Sequence, residues 1–183
     1  SSFWRWGAFF KFDHRDNATS PAKGGLYLVE YAAYRDRKLN QHDFALLEAR
    51  LQHYLPLGSP DRVLAGQVQG WFSLRRHGQT VPFYFQPALG GQEGLRGFRA
   101  YRFRDHRAML FTAEFRQKLW GPLAVAVFAD AGKVFSSGAP ITLKDLEFSP
   151  GVGLRFDVGP LGVARLEVAF SHEGHQIWIR FGD

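Results

Sequence analysis

Leu123-Ala124-Val125-Ala126-Val127-Phe128-Ala129-Asp130-Ala131-Gly132 alternates in strict period two. Leu123, Val125, Val127, Ala129 and Ala131 make one wholly apolar face, while Ala124, Ala126, Phe128, Asp130 and Gly132 make the other. Successive side chains of a strand point to opposite sides of its sheet, so this period predicts a strand whose two faces meet different surroundings.

Working outward, the same split recurs in both directions. Met109, Phe111, Ala113 and Phe115 oppose Thr112, Glu114, Arg116 and Lys118 on the preceding segment. Downstream, Val152, Leu154, Phe156 and Val158 oppose Arg155 and Asp157; Ala164, Leu166, Val168 and Phe170 oppose Arg165 and Glu167; Ile177, Ile179 and Phe181 oppose Gln176 and Arg180. Upstream, Trp4, Trp6, Ala8, Phe10 and Phe12 oppose Arg5 and Lys11, and Tyr27, Val29, Tyr31 and Ala33 oppose Glu30. Leu47, Ala49 and Leu51 oppose Glu48, Arg50 and Gln52, and Leu64, Val68 and Phe72 oppose Gln67 and Gln69. These segments predict eight to nine strands of about ten residues each. The only helical signal is one turn over 141–146. The fold class is therefore all-β.

The 183 residues, 20.8 kDa, suit one domain spanning 1–183. Cysteine is absent, which excludes disulfides, thiolate metal sites and cysteine nucleophiles. No apolar run reaches the length of a spanning helix. A net charge of +6 points to anionic neighbours, nucleic acid or lipid headgroups, without choosing between them. No secretory leader opens the sequence at Trp4-Arg5-Trp6, so the chain is expected to be either a mature protein or a piece of a longer one.

Connections alternate in length. Those at 57–61, 121–122 and 159–161 are tight, whereas 35–43, 75–107 and 133–148 are long and polar. Short turns on one rim and long loops on the other describe an antiparallel transmembrane β-barrel of the outer-membrane type. The connection at 13–25 is an exception, long where a short one is expected. A soluble sandwich or lipocalin-like barrel also alternates, with its apolar residues inside. Against it, the polar faces carry both charge signs, and Trp, Phe and Tyr cluster near strand ends as they do at a lipid interface.

Gly90-Gly91-Gln92-Glu93-Gly94-Leu95-Arg96-Gly97-Phe98 is the most distinctive stretch, with glycines presenting one arginine at a fixed place. It resembles the (V/I/L)RG(F/Y) signature of the inward-folded loop in the BamA-type surface antigen superfamily, which also includes the two-partner secretion transporters. Asp13-His14-Arg15-Asp16-Asn17 with Pro21 and Gly24-Gly25 resembles that family's DxRDN turn, which accounts for the exceptional long connection. Ala113-Glu114-Phe115-Arg116, Phe128-Ala129-Asp130-Ala131-Gly132 and Gly151-Val152-Gly153-Leu154-Arg155 match in order and spacing.

The resemblance implies that loop 75–107 folds into the lumen, with Leu95, Arg96, Gly97 and Phe98 as its motif. It further implies that Arg96 pairs with Asp130 and Glu114 on the lumen wall. The family's barrel has sixteen strands preceded by periplasmic domains, so this chain is expected to supply the C-terminal half of a larger or shared barrel. Nine antiparallel strands cannot close with every neighbour antiparallel, which requires upstream strands, a second barrel half or a homodimer partner. The last strand runs on into Gly182-Asp183 instead of ending on an aromatic, so its insertion signal is incomplete or trimmed. Val81-Pro82-Phe83-Tyr84-Phe85 resembles short members that lack the periplasmic domains.

An enzyme is not expected. There is no G-x-S-x-G elbow and no P-loop, and His172-Glu173-Gly174-His175 has the wrong spacing for a zinc protease. No catalytic residue, cofactor or metal is expected. Nucleic acid is not an expected partner either, because stacking platforms need aromatics on the basic face. The expected function is an outer-membrane module assisting insertion or passage of client polypeptides, in contact with outer-membrane lipid. The alternative is a non-transporting barrel that anchors or oligomerises, serving an attached enzyme domain.

Overall fold

A computed structural model describes residues 2–38, 41–159 and 162–181. Nine long strands among them form one antiparallel sheet: β1 (Phe3–Asp13), β2 (Gly24–Asp36), β3 (Phe44–Pro56), β4 (Arg62–Arg75), β7 (Arg107–Trp120), β8 (Leu123–Phe135), β9 (Glu147–Asp157), β10 (Val163–Ser171) and β11 (Gly174–Phe181). Two short strands, β5 (Ala88–Leu89) and β6 (Phe103–Arg104), pair with each other inside the long β4–β7 connection. Each long strand bonds to its neighbour in sequence, skipping the β5–β6 pair, and β1 and β11 remain as the two edges. The fold is an all-β partial barrel.

The faces are inverted relative to a water-soluble protein. Val127 is 56% exposed, and Asp130, three residues on, is fully buried. Trp4, Phe10, Val152 and Ile177 project outward, while Gln69, Ser149 and Glu167 are buried on the inner face. A soluble β-fold hides its apolar face from water; this sheet presents it, which is the arrangement of a barrel wall against hydrocarbon. β1 to β4 and β7 to β9, of 11–14 residues each, are long enough for a tilted span of about 9–11 residues.

Several boundaries depart from the sequence reading. β9 starts at Glu147, before Pro150, although the alternation is legible only from Val152. Proline lacks a ladder donor and hides the strand from a pattern search. The turn expected over 141–146 is not helical: Asp145 sits at φ 55°, a left-handed conformation that ends any right-handed turn. A short 3₁₀ turn lies instead at Phe83–Phe85. Residues 160 and 161 of the expected tight turn, 39 and 40 of the 35–43 loop, and Gly182-Asp183 lie outside the described residues.

The principal apolar core lies between the long connection and the sheet's inner face. Leu89, Leu95, Phe98, Ala108 and Leu110 are packed together, with Trp71, Phe103 and Val134 against them. Complete burial of Leu95 and Phe98 contributes about 2–3 kcal/mol each. Residues from β3, β4 and β7 to β11 together line one polar cavity of about 980 Å³, so the sheet curls around it.

Candidate functional site: an anchored loop on the inner wall

Gly90 and Gly91 take φ of 105° and 96°, and a side chain on Gly90 would strike the Arg99 carbonyl. These conformations suit glycine and turn the chain back on itself. The Gly91 N–H then donates to the Phe98 carbonyl at 3.1 Å, and the Phe98 N–H donates to the Leu95 carbonyl at 3.1 Å. Arg96 and Gly97 thus occupy the middle of a tight turn. Leu95 and Phe98 plug the apolar core on either side, which aims the Arg96 guanidinium at the wall.

There Arg96 meets Asp130 in a fork: Nε to Oδ2 and Nη2 to Oδ1 are both 2.8 Å, and the Arg96 backbone N–H adds a third bond to Oδ2 at 3.2 Å. Nη1 donates to Glu167 at 3.2 Å and to Glu114 at 3.5 Å. The guanidinium carbon also lies 3.3 Å from the centre of the Phe128 ring. A bidentate, shielded pair of this kind is stronger than a surface ion pair. Its two carboxylate neighbours also serve Arg155, whose Nη2 reaches Glu114 at 2.5 Å and Glu167 at 3.0 Å. Thr112 completes the set by donating its hydroxyl to Asp130 at 2.9 Å.

Glycines on the wall make the room. Phe128 stands opposite Gly151 in the ladder, and any Cβ on Gly151 would lie 2.3 Å from that ring. A Cβ on Gly97 would lie 2.3 Å from the Phe170 carbonyl oxygen and 2.6 Å from Ser149 Oγ. The close approach lets the Gly97 N–H donate to Ser149 and its carbonyl accept from Ser171 Oγ at 2.8 Å. Trp178 Nε1 donates to the Arg96 carbonyl at 2.7 Å. Every polar group of the Arg96-Gly97 turn therefore has a partner, as buried polar groups require.

The Omp85 superfamily domain matches residues 4–182. The chain belongs to the Omp85 superfamily. A comparison with curated proteins gave no match. Among solved structures, this Omp85 chain is similar to BamA from Haemophilus ducreyi lacking POTRA domains 1–3, at 16% identity and a TM-score of 0.77. The superposition covers 95% of this chain and 40% of that one, so the chain spans less than half of the similar structure.

All six residues singled out in the Omp85 sequence, Leu95, Arg96, Gly97, Phe98, Asp130 and Glu114, lie in or beside this one cluster. Sequence reasoning passed over Glu167, which is nearer Arg96 than Glu114 is, and Phe128, Ser149, Ser171 and Trp178. Phe128 carried a signal: it is the one bulky apolar side chain on its inner face, and Gly151 and Gly153 mark where something approaches the next strand. Ser149 lies beyond Pro150 and was hidden with it. His172 and Glu173 form the tight turn between β10 and β11, and no group of three His, Cys, Asp or Glu side chains among the described residues could hold a metal.

Proposed function

We propose that this chain is the C-terminal part of an outer-membrane Omp85 barrel that assists the insertion or passage of polypeptides, with residues 75–107 as a lumen element anchored by Arg96. The observation that carries the reading is that the loop is fixed to one wall while a polar cavity of about 980 Å³ stays open beside it. A barrel built only to anchor has no use for a large polar cavity with one tethered segment. Outer-membrane lipid is the partner of the outward Trp, Phe, Val and Ile side chains, and a client polypeptide that of the polar interior.

The barrel's missing part follows from direction. With nine antiparallel strands, β1 and β11 run the same way. A second copy related by a twofold axis along the membrane normal would lay its edge parallel to this one, whereas an odd number of further strands closes the barrel antiparallel throughout. This favours further strands of the same polypeptide over a homodimer.

The test is single-channel recording on the full-length protein in planar bilayers, beside an assay of client assembly or secretion. Arg96→Glu is expected to free the loop, raise and destabilise the conductance and impair client handling. Adding Asp130→Arg should restore part of the wild-type trace. A folded barrel with no conductance in either form, and unimpaired client handling on deletion, would leave the anchoring role instead.

A further inference from the structure

Arg155, Arg165 and Arg180 stand directly across from one another on β9, β10 and β11, one unbroken row of three guanidinium-bearing residues. Like charges directly opposite in a ladder destabilise it, because their Cβ atoms are only about 5 Å apart. Arg155 is neutralised by Glu114 and Glu167, the carboxylates that also serve Arg96. The side chains of Arg165 and Arg180 make no hydrogen bond or ion pair with any described residue. Their Nε–H groups are shut off from water without an acceptor, as are those of Arg50, Arg116 and Arg155, but only in Arg165 and Arg180 do the terminal nitrogens also lack a partner among the described residues.

Other arginines on the inner side of the molecule are occupied. Arg116 donates to the Pro21 carbonyl and pairs with Glu114, and Arg50 pairs with Glu48. The cluster around Arg96 therefore contains five guanidinium groups, on Arg96, Arg116, Arg155, Arg165 and Arg180, and three carboxylates, on Glu114, Asp130 and Glu167. Among the residues of this chain two positive charges are left over, and they fall on the two arginines without partners in it. Both line the open cavity. A buried donor left unmade is costly, and a planar guanidinium fork is shaped for the oxygens of a phosphate or carboxylate.

The geometry points to Arg165 and Arg180 as a binding site for a phosphate-type oxyanion at the end of the cavity near the β9–β10 turn. Two forks in one row offer donors to several oxygens of one tetrahedral group, and the surplus of positive charge suits a phosphate, free or esterified. Arg180 is the penultimate residue of β11 and Arg165 the third of β10, so the row lies within about 10 Å of the strand ends, where lipid headgroups meet a barrel rim. A free phosphate and a phospholipid headgroup share this chemistry. The site stands apart from the polypeptide-handling reading and survives its failure.

The test uses the full-length protein in dodecyl maltoside at constant ionic strength. Inorganic pyrophosphate is expected to raise the unfolding midpoint above that in chloride, and equilibrium dialysis should show about one saturable site per chain. The R165Q/R180Q double variant should bind about tenfold or more weakly, the scale of losing charge-assisted contacts, while R165K/R180K keeps part of the affinity. Phosphatidylglycerol doped into the micelle is the second arm. A shift with lipid alone makes a headgroup the ligand, and a shift with pyrophosphate makes it a free anion; both support the site. Absence of saturable binding to the wild type in both arms, equal binding by the Gln and wild-type proteins, or an equal response to succinate would overturn it. Wild-type dialysis decides the matter even if the Gln variant does not fold.

Discussion

The walls on the two sides of the cavity solve the problem of inward polar groups differently. On β7, β8, β9 and β10, charged groups converge on Arg96 and hold a loop. On β3 and β4, neutral amides relay along the strands: Gln52 donates to Gln67, Gln67 to Gln69 at 3.1 Å, and Gln69 to Glu48 at 2.8 Å. The relay satisfies its members with one another and asks nothing of the loop, whereas the charge cluster is incomplete until the loop arrives. The β3–β4 wall carries one ion pair, Arg50–Glu48 at the end of its relay, and that pair does not reach the loop, so the loop is tethered to one side of the lumen.

The largest expected difference between the walls comes from Asp130→Asn. It leaves the buried Arg96 guanidinium without its bidentate partner, and breaking a pair of this burial costs about 3–5 kcal/mol. Denaturant unfolding of the purified barrel, with trypsin digestion at Arg99, Arg102 and Arg104, should show lower stability and faster cleavage. On the amide wall, Gln69→Leu should cost only about 1 kcal/mol and leave the cleavage rate alone. Similar losses from both substitutions would erase the distinction.

Gly97→Ala tests the closeness of the charged wall. Its Cβ would enter the space of the Phe170 carbonyl, a backbone group that cannot swing away. Overpacking of this kind costs about 1–3 kcal/mol. The displaced turn should release the indole of Trp178 from the Arg96 carbonyl. A red shift in tryptophan emission is expected, and it should vanish when the same change is made in a Trp178→Phe background. An unshifted spectrum would mean that the turn tolerates a side chain and that the contact is looser than drawn.

Much of this was legible in the sequence, for a physical reason. All nine long strands showed as period-two segments because each separates two different solvents, and a side chain on the wrong face is penalised at every second residue. The family resemblance led to Leu95, Arg96, Gly97 and Phe98 and to Asp130 and Glu114 as partners of the arginine, and the period-two alternation independently put both acids on the polar face. What escaped was whatever depends on registry between strands. Glu167 looked like any other polar-face carboxylate, and its closeness to Arg96 follows only from the β9–β10 pairing. The Arg155–Arg165–Arg180 row has the same origin, since ten and fifteen residues of separation become adjacency only after two hairpins fold. The β5–β6 pair escaped because two-residue strands have no period.

The smallest effect belongs to the tether that the loop makes outside the cavity. Arg102 Nε donates to both carboxylate oxygens of Glu173, at 2.9 and 3.0 Å, in the tight turn between β10 and β11. Both partners are exposed enough to be screened by water and salt. The hydrogen bond from Arg102 holds the Glu173 carboxyl below its ordinary value of 4.5. A carboxylate with a depressed folded value contributes above its unfolded value and loses that contribution as pH falls through the folded one. The Arg102–Glu173 tether is therefore complete at neutral pH and fades in acid below about 4.5. Amide hydrogen exchange over 99–104, corrected for intrinsic rates, should be slightly faster in Glu173→Gln than in wild type at pH 7, and the gap should close in acid and in high salt. A gap that persists in acid would mean that Glu173 acts through packing, and one as large as that of Asp130→Asn would move the loop's principal anchor from the charged wall to the rim.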